Sequence, residues 1–329
     1  MRKFWLLIIV QVVLLSAAVF NISFKPEVLE VQNIATTDWT ITPVYSKIYY
    51  DNGSVQEEGR LLNANKIEWW KTYFEDETLA SIGEYDKGIK IGYWKYYHAN
   101  GELAEEGNFV DGNKEGKWKK HHGNGQLAAE EPFENGKEDG FWKTFYENGN
   151  TKTLAGYRNG LKEGYWKDLY ENEIIKKQGK YLNNLREGYW ESRYTNGSVE
   201  LESEWEKGEK NGWAKRFYEN GKVKWVGEFE RNQKKGLWKY YHSNGEGKAE
   251  GYFSNNVKVG WWRFWDLTGN MLEEGDYANN LKSGFYKTYY SDSTLKTEGY
   301  YYNDEPAGEW RYYKEDGEFD RIIKIEDDE

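Results

Sequence analysis

Aromatic and aliphatic residues return at fixed steps along this chain, separated by short polar clusters rich in Asn, Gly and Asp. A glycine followed within two residues by an aromatic stands at Gly92, Gly116, Gly140, Gly164, Gly188 and onward to Gly308, always 24 residues apart. The same pattern, without its glycine, reaches back through Glu68-Trp69-Trp70 to Val44-Tyr45. Twelve units therefore begin between Val44 and Gly308, the last one truncated. A fixed period of this size predicts a stacked array in which each unit touches only its neighbours.

Within a unit, positions are numbered from zero at the glycine. Position 8 is Asn, Asp or Thr throughout and position 9 is Gly in nine of twelve units, as in Asn148-Gly149. Asn-Gly between two aromatic-rich runs predicts a two-residue type I′ hairpin turn. A second turn, centred on positions 20 and 21, carries Gly136, Gly160, Asn184, Gly208 and Asn232. The fold class is thus all-β: an elongated antiparallel meander of about 12 tandem 24-residue β-hairpin repeats. At roughly 4.8 Å between strands, two dozen strands would extend on the order of 110 Å.

With Asn148 and Gly149 at the turn, Tyr146 should pair with Thr151, Lys143 with Leu154 and Trp142 with Ala155. The equivalents in the Gly92 unit are His98–Leu103, Lys95–Glu106 and Trp94–Gly107. One face then collects Trp at position 2, the aromatics at 6 and 17, the aliphatic at 11 and the small residue at 15. Trp across a facing glycine shields exposed backbone. The opposite face carries a basic column at position 3 (Lys47, Lys71, Lys95, Lys119, Lys143, Lys167, Lys215, Lys239, Arg263, Lys287 and Arg311) beside an acidic column at position 14 (such as Glu58, Glu106 and Glu250). Cross-strand pairing is expected to neutralise both.

Composition sharpens this picture. The chain has 329 residues, 17 of them Trp and 28 Tyr, no Cys, and a net charge of −11. Mean hydropathy is −0.98, a value that suits disorder, yet disordered chains are poor in aromatics and this one is rich in them. Disulfides and thiol chemistry are excluded. The acidic balance argues against nucleic acid as a partner and against anionic lipid.

Residues 1–20 form a separate object. Arg2 and Lys3 precede an apolar run from Phe4 to Phe20 that ends in small residues, the pattern of a secretory signal peptide cut after Ala18, with an uncleaved anchor over residues 4–20 as the alternative. Either predicts an exported protein of a bacterial envelope or the extracellular space, with membrane association only through this segment. Residues 21–43 are a lead-in, 44–325 the hairpin array and 326–329 an acidic tail.

The recurring Gly-x-Trp-x-x-Tyr-Tyr-x-Asn-Gly-x-x-x-x-Glu-Gly-x-Tyr resembles the MORN repeat, and is most similar to the bacterial variant known as the YwqK-type antitoxin repeat. The resemblance covers about residues 44–325. It implies a non-enzymatic β-hairpin array that holds partners, in some relatives beside membranes. An exported chain would not meet a cytoplasmic toxin, so antitoxin activity is not carried over. A fainter similarity to Gly/Trp/Tyr cell-wall-binding repeats implies a second reading, in which exposed rings hold polysaccharide.

No nucleophile elbow, phosphate loop or calcium loop appears, and no enzyme activity, cofactor or metal is expected. His98, His121, His122 and His242 fall at positions 5 and 6, where other units place aromatic rings. The expected function is an exported scaffold binding protein partners through an aromatic-rich β surface. The candidate contact rings are those at positions 1 and 5: Tyr93 and Tyr97, Trp213 and Phe217, Trp261 and Trp265. With no second layer in sight, the Trp face should curve on itself, pair with another copy as a homo-oligomer, or meet a partner. Pro132 predicts a local break in the ladder. Ile323 and Ile325 read as a terminal cap.

Overall fold

The computed structural model describes residues 42–325; the signal or anchor segment, nearly all of the lead-in and the acidic tail lie outside the described residues. Residues 43–325 belong to one compact unit, a single 25-stranded antiparallel sheet. Strands pair with their neighbours in sequence, from Val44–Tyr49 against Val55–Leu62 to Glu305–Tyr313 against Phe319–Ile325. One strand is broken in two at Asp139, into Lys137–Glu138 and Gly140–Phe145. The break sits opposite Pro132, whose carbonyl accepts a 3.0 Å hydrogen bond from the Asp139 amide but which has no N–H to return. The predicted interruption is one missing rung.

The Asn-Gly turn differs from its expected geometry, and the second turn is centred one position earlier than expected. At the Asn-Gly turn only position 9 lies in the left-handed region: Gly149 has φ +86° and Asn148 is not among the positive-φ residues. The Tyr146 amide donates to Asn150 O and the Gly149 amide to Tyr146 O, each at 2.9 Å. This is a three-residue loop, a type I turn closed by a left-handed glycine bulge. Register shifts by one beside it, so Phe145, not Tyr146, pairs with Thr151. Trp142↔Ala155 and Lys143↔Leu154 pair as expected. In the Gly92 unit it is likewise Tyr97, not His98, that pairs with Leu103. Position 11 thereby faces position 5 and joins the lysine face.

The type I′ turn is the other one. Asn159 (φ +50°) and Gly160 (φ +81°), at positions 19 and 20, are both left-handed, and Arg158 pairs directly with Leu161.

The invariant-phase glycine at position 0 also has a backbone reason. Between Ala155↔Trp166 and Tyr157↔Lys162 the register slips, and Gly164 takes φ +79° there. The bulge adds two residues, so side-chain parity survives and every position-2 Trp stays on one side. Glu68, where that glycine is absent, is held at φ +56°.

Candidate functional site

The Trp face is a core one residue deep. Trp70, Trp94, Trp118, Trp190, Trp238, Trp262 and Trp310 are all at most 5% exposed. Each indole lies over the position-15 glycine of the preceding repeat, not of its own hairpin: Trp94 over Gly83, Trp118 over Gly107, Trp262 over Gly251. Each also donates its indole N–H to the next carbonyl along, Trp118 to Asn108 O at 3.1 Å and Trp262 to Tyr252 O at 3.2 Å. The expected ring-on-glycine contact therefore crosses between repeats and locks them together. Edge-on contacts with position 17, such as Phe109 against Trp118 at 4.9 Å between centroids, close the sides.

The lid is a second basic column that the sequence reading missed, at position 22. Lys66, Lys90, Lys114, Lys162, Lys234, Lys258 and Lys282 lie across the ring at position 2 of the next repeat, with Nζ 4.0 to 4.6 Å from its centroid. Their aliphatic stems cover apolar surface while the ammonium sits on the ring face. A folded-over sheet or second copy is thus unnecessary to bury the tryptophans. Burial pulls Lys90, Lys210, Lys234 and Lys258 below the ordinary lysine range. Lys66, Lys114 and Lys282 have acidic partners on this face, Glu57, Glu105 (2.6 Å) and Glu273 (3.1 Å).

Where position 15 is not glycine the arrangement loosens. Glu131, 4% exposed and bound to Lys120 at 2.9 Å, occupies the seat of Trp142, which is only half-buried and has no acceptor for its indole N–H. Ala155 similarly displaces Trp166, which donates to Asp168 instead at 2.9 Å. After Ser203 the ring is absent altogether, position 2 being Ala214.

Three histidines do what tyrosine does at the same position. The hydroxyls of Tyr146, Tyr170 and Tyr218 donate to a carbonyl of the next repeat. His98, His122 and His242 reach the equivalent carbonyls through Nε2 at 3.0 to 3.1 Å. A carbonyl only accepts, so Nε2 must carry the proton. Among the described residues no group of three or more His, Asp or Glu is placed to hold a metal.

The opposite face carries positions 1, 3, 5, 14 and 16. Its columns pair only in part: Lys47–Glu58 (2.9 Å), Lys239–Glu250 (3.7 Å), Arg263 with Glu250 and Glu274, and Arg311–Glu298 (3.6 Å). Glu58 also accepts from Tyr73 at 2.7 Å. Hydrogen bonds from Tyr73 and Lys47 hold its carboxyl at about 2, while burial and that bond push Tyr73 up to about 12. Of the candidate rings, Tyr93 and Trp213 are well exposed, at 48% and 57%. Trp261 is half-buried and tied to Glu274 at 3.1 Å; Tyr97, Phe217 and Trp265 are half-buried.

The most open stretch was not singled out from sequence. Phe141, Tyr165 and Tyr189, at position 1 of three successive repeats, are 55%, 73% and 53% exposed. Between them Leu154 and Gln178 stand where other repeats place Glu, and a cleft of about 730 Å³ opens there, with Lys167 on its wall. At the chain's end Ile323 is 40% exposed. Ile325 packs on the core.

The family model of the MORN repeat variant matches residues 90–111, 114–135 and 234–255. No curated protein matches the sequence. Similar solved structures include a TcdB2-TccC3-Cdc42 crystal structure (9% identity, 86% of this chain and 18% of that one, TM-score 0.16). Another is a Photorhabdus luminescens Tc holotoxin pore (11% identity, 83% and 17%, TM-score 0.18). The chain thus spans less than a fifth of either, and likenesses at such scores have no bearing on function.

Proposed function

We propose, from the premise that the chain is a MORN-type repeat array, that it is a non-enzymatic scaffold that binds a partner protein on the lysine face, centred on Tyr165. The observation that supports this is the run Phe141, Tyr165, Tyr189 and Trp213, four rings in successive repeats, each more than half exposed. The position-2 rings of the other face are largely buried, most of them under lysines, whereas these four are open in consecutive repeats. Loss of the acidic column at Leu154 and Gln178 removes the charge that would oppose an apolar contact. Large exposed aromatics around an apolar cleft are the usual material of an interface centre. The proposal includes export by the N-terminal segment, which places the partner in the envelope or outside the cell.

A photo-crosslinking amino acid in place of Tyr165, in the producing cell, tests it. The expected result is a discrete protein adduct that weakens when Phe141 and Tyr189 are both changed to Ser. Saturable retention on purified cell wall or polysaccharide, without a protein adduct, would transfer the surface to the glycan reading. Fractionation of the same cells reads out export.

A further inference from the structure

We infer that the Trp face carries a second site, a dock for an acidic, extended peptide segment of a partner, anchored by one apolar side chain in the cleft at Ala249. The site lies on the face opposite Tyr165, so the two readings stand or fall separately.

The cleft follows from one small residue in a row of larger ones. Position 13 is Trp225 in one repeat, Ala249 in the next and Glu273 in the one after. Over Ala249 a cleft of about 670 Å³ opens, walled by Trp225, Tyr240, Trp262 and Phe264, a size that holds a large apolar side chain with room for its flanks. Its surroundings are cationic. Lys224 and Lys248 are exposed at its edge, and Lys258 lies on the ring of Trp262 at 4.6 Å. Lys210 and Lys234 continue the column through the two preceding repeats. Among the described residues none of these five lysines has a carboxylate within ion-pair distance. The two acids that line the cleft are already engaged: Glu273 binds Lys282 at 3.1 Å, and Asp266 accepts from the Thr268 and Asn270 amides at 2.8 and 2.9 Å. A chain of net charge −11 therefore concentrates cations that lack a carboxylate partner around this aromatic cleft.

An acidic peptide suits this layout better than a ligand read by stacking. Nucleobases need a series of open ring faces, whereas here the repeated rings are capped by lysine and the opening lies at the Ala249 cleft. A peptide needs one apolar anchor and carboxylates at the right spacing. Successive lysines of the column are one hairpin apart, two strand spacings or about 9.6 Å. A polyproline II segment presents the same side every three residues, about 9.3 Å. Carboxylates at every third residue would therefore meet successive lysines.

The test uses the full chain and a fluorescein-labelled peptide with Glu at every third position and one central Phe, titrated by fluorescence anisotropy. Saturable binding is expected. It should weaken by about tenfold in Ala249→Leu and again in the double variant Lys224→Ala/Lys248→Ala, the latter with a shallower salt dependence. Both changes have precedent in the repeat, since Leu201 occupies position 13 and Ala104 position 12 elsewhere. If Ala249→Leu melts early, the lysine variant decides. Absence of binding, equal binding by a peptide lacking Phe, affinity indifferent to both variants, or stronger competition by a single-stranded oligonucleotide or an acidic polysaccharide would each overturn the assignment.

Discussion

The indole of Trp118 occupies the space a side chain on Gly107 would need, although the two residues belong to different hairpins. That contact makes the array cooperative, because a hairpin's glycine is shielded only once the next hairpin has docked. Gly107→Ala should therefore force the ring outward and destabilise the protein by about 1–3 kcal/mol, as overpacking does. Trp118→Ala, at a site with 0% exposure, should cost about 3–5 kcal/mol. Trp142→Ala should cost less than Trp118→Ala, since that ring is already half out. Denaturant melts of the three variants check the order; equal losses for Trp118 and Trp142 would contradict the displaced geometry.

Glu131→Gly tests the same relation in reverse. It removes a buried carboxylate and vacates the seat of Trp142, whose indole N–H then reaches the carbonyl beyond, as in other repeats. A higher melting temperature and a blue-shifted tryptophan emission are expected. Unchanged emission would mean that something other than Glu131 holds the ring out.

How much of this was legible beforehand follows from what repetition reveals. A 24-residue period with Trp at one position exposes strands, parity and the shared face, because a slip of one residue would turn every ring outward. Trp142↔Ala155 and Lys143↔Leu154 could be read for that reason. The turns were misread because Asn148-Gly149 suits either geometry, and only the backbone of Asn148 separates them. The partner glycine of each Trp was misassigned because cross-strand register gives neighbours, whereas a large ring reaches sideways into the next hairpin. The lid at position 22 was visible as a column, Lys66 to Lys282, but appeared as loop charge beside a turn. The Tyr165 cleft depends on exceptions, Leu154 and Gln178, which a search for the consensus passes over.

The Tyr73–Glu58 bond can be followed by pH. Glu58 titrates at about 2, chiefly because Tyr73 and then Lys47 hydrogen-bond to its carboxylate. A depressed acid contributes stability that is present above its ordinary value near 4.5 and lost as pH falls through about 2. Tyr73→Phe removes the largest cause, so the Glu58 midpoint should rise toward the ordinary glutamate range. Carboxyl-carbon NMR titration of both proteins reads this directly; coincident curves would assign the shift to Lys47 and Tyr45.

Substitution at His122 separates a hydrogen-bonding role from one of ring packing. His122→Tyr should keep the link to Phe145 O and leave stability nearly unchanged. His122→Phe keeps the ring, loses the donor and should cost about 0.5–1.5 kcal/mol. Equal melting temperatures for the Tyr and Phe variants would show that the ring alone is what the column needs.

The turn geometry yields the sharpest contrast. Glu77, Glu173 and Ser293 sit at position 9 with φ between +65° and +70°, where an L-residue is strained by roughly 1–2 kcal/mol and glycine is not. Changing Glu77 and Glu173 to Gly should raise the melting temperature, and the two gains should add because the sites are several repeats apart; Ser293→Gly should gain less, because the Ser293 hydroxyl accepts from the Met271 amide at 2.9 Å. Position 8 should behave oppositely. The Asn100 side chain accepts from the Glu102 amide at 3.1 Å and donates to Gly123 O in the next repeat at 2.8 Å, so Asn100→Gly forfeits both bonds. In a type I′ turn, with positive φ at positions 8 and 9 alike, Asn100→Gly would instead be favourable. Opposite signs for Glu173→Gly and Asn100→Gly in thermal melts therefore distinguish the three-residue loop from the two-residue one.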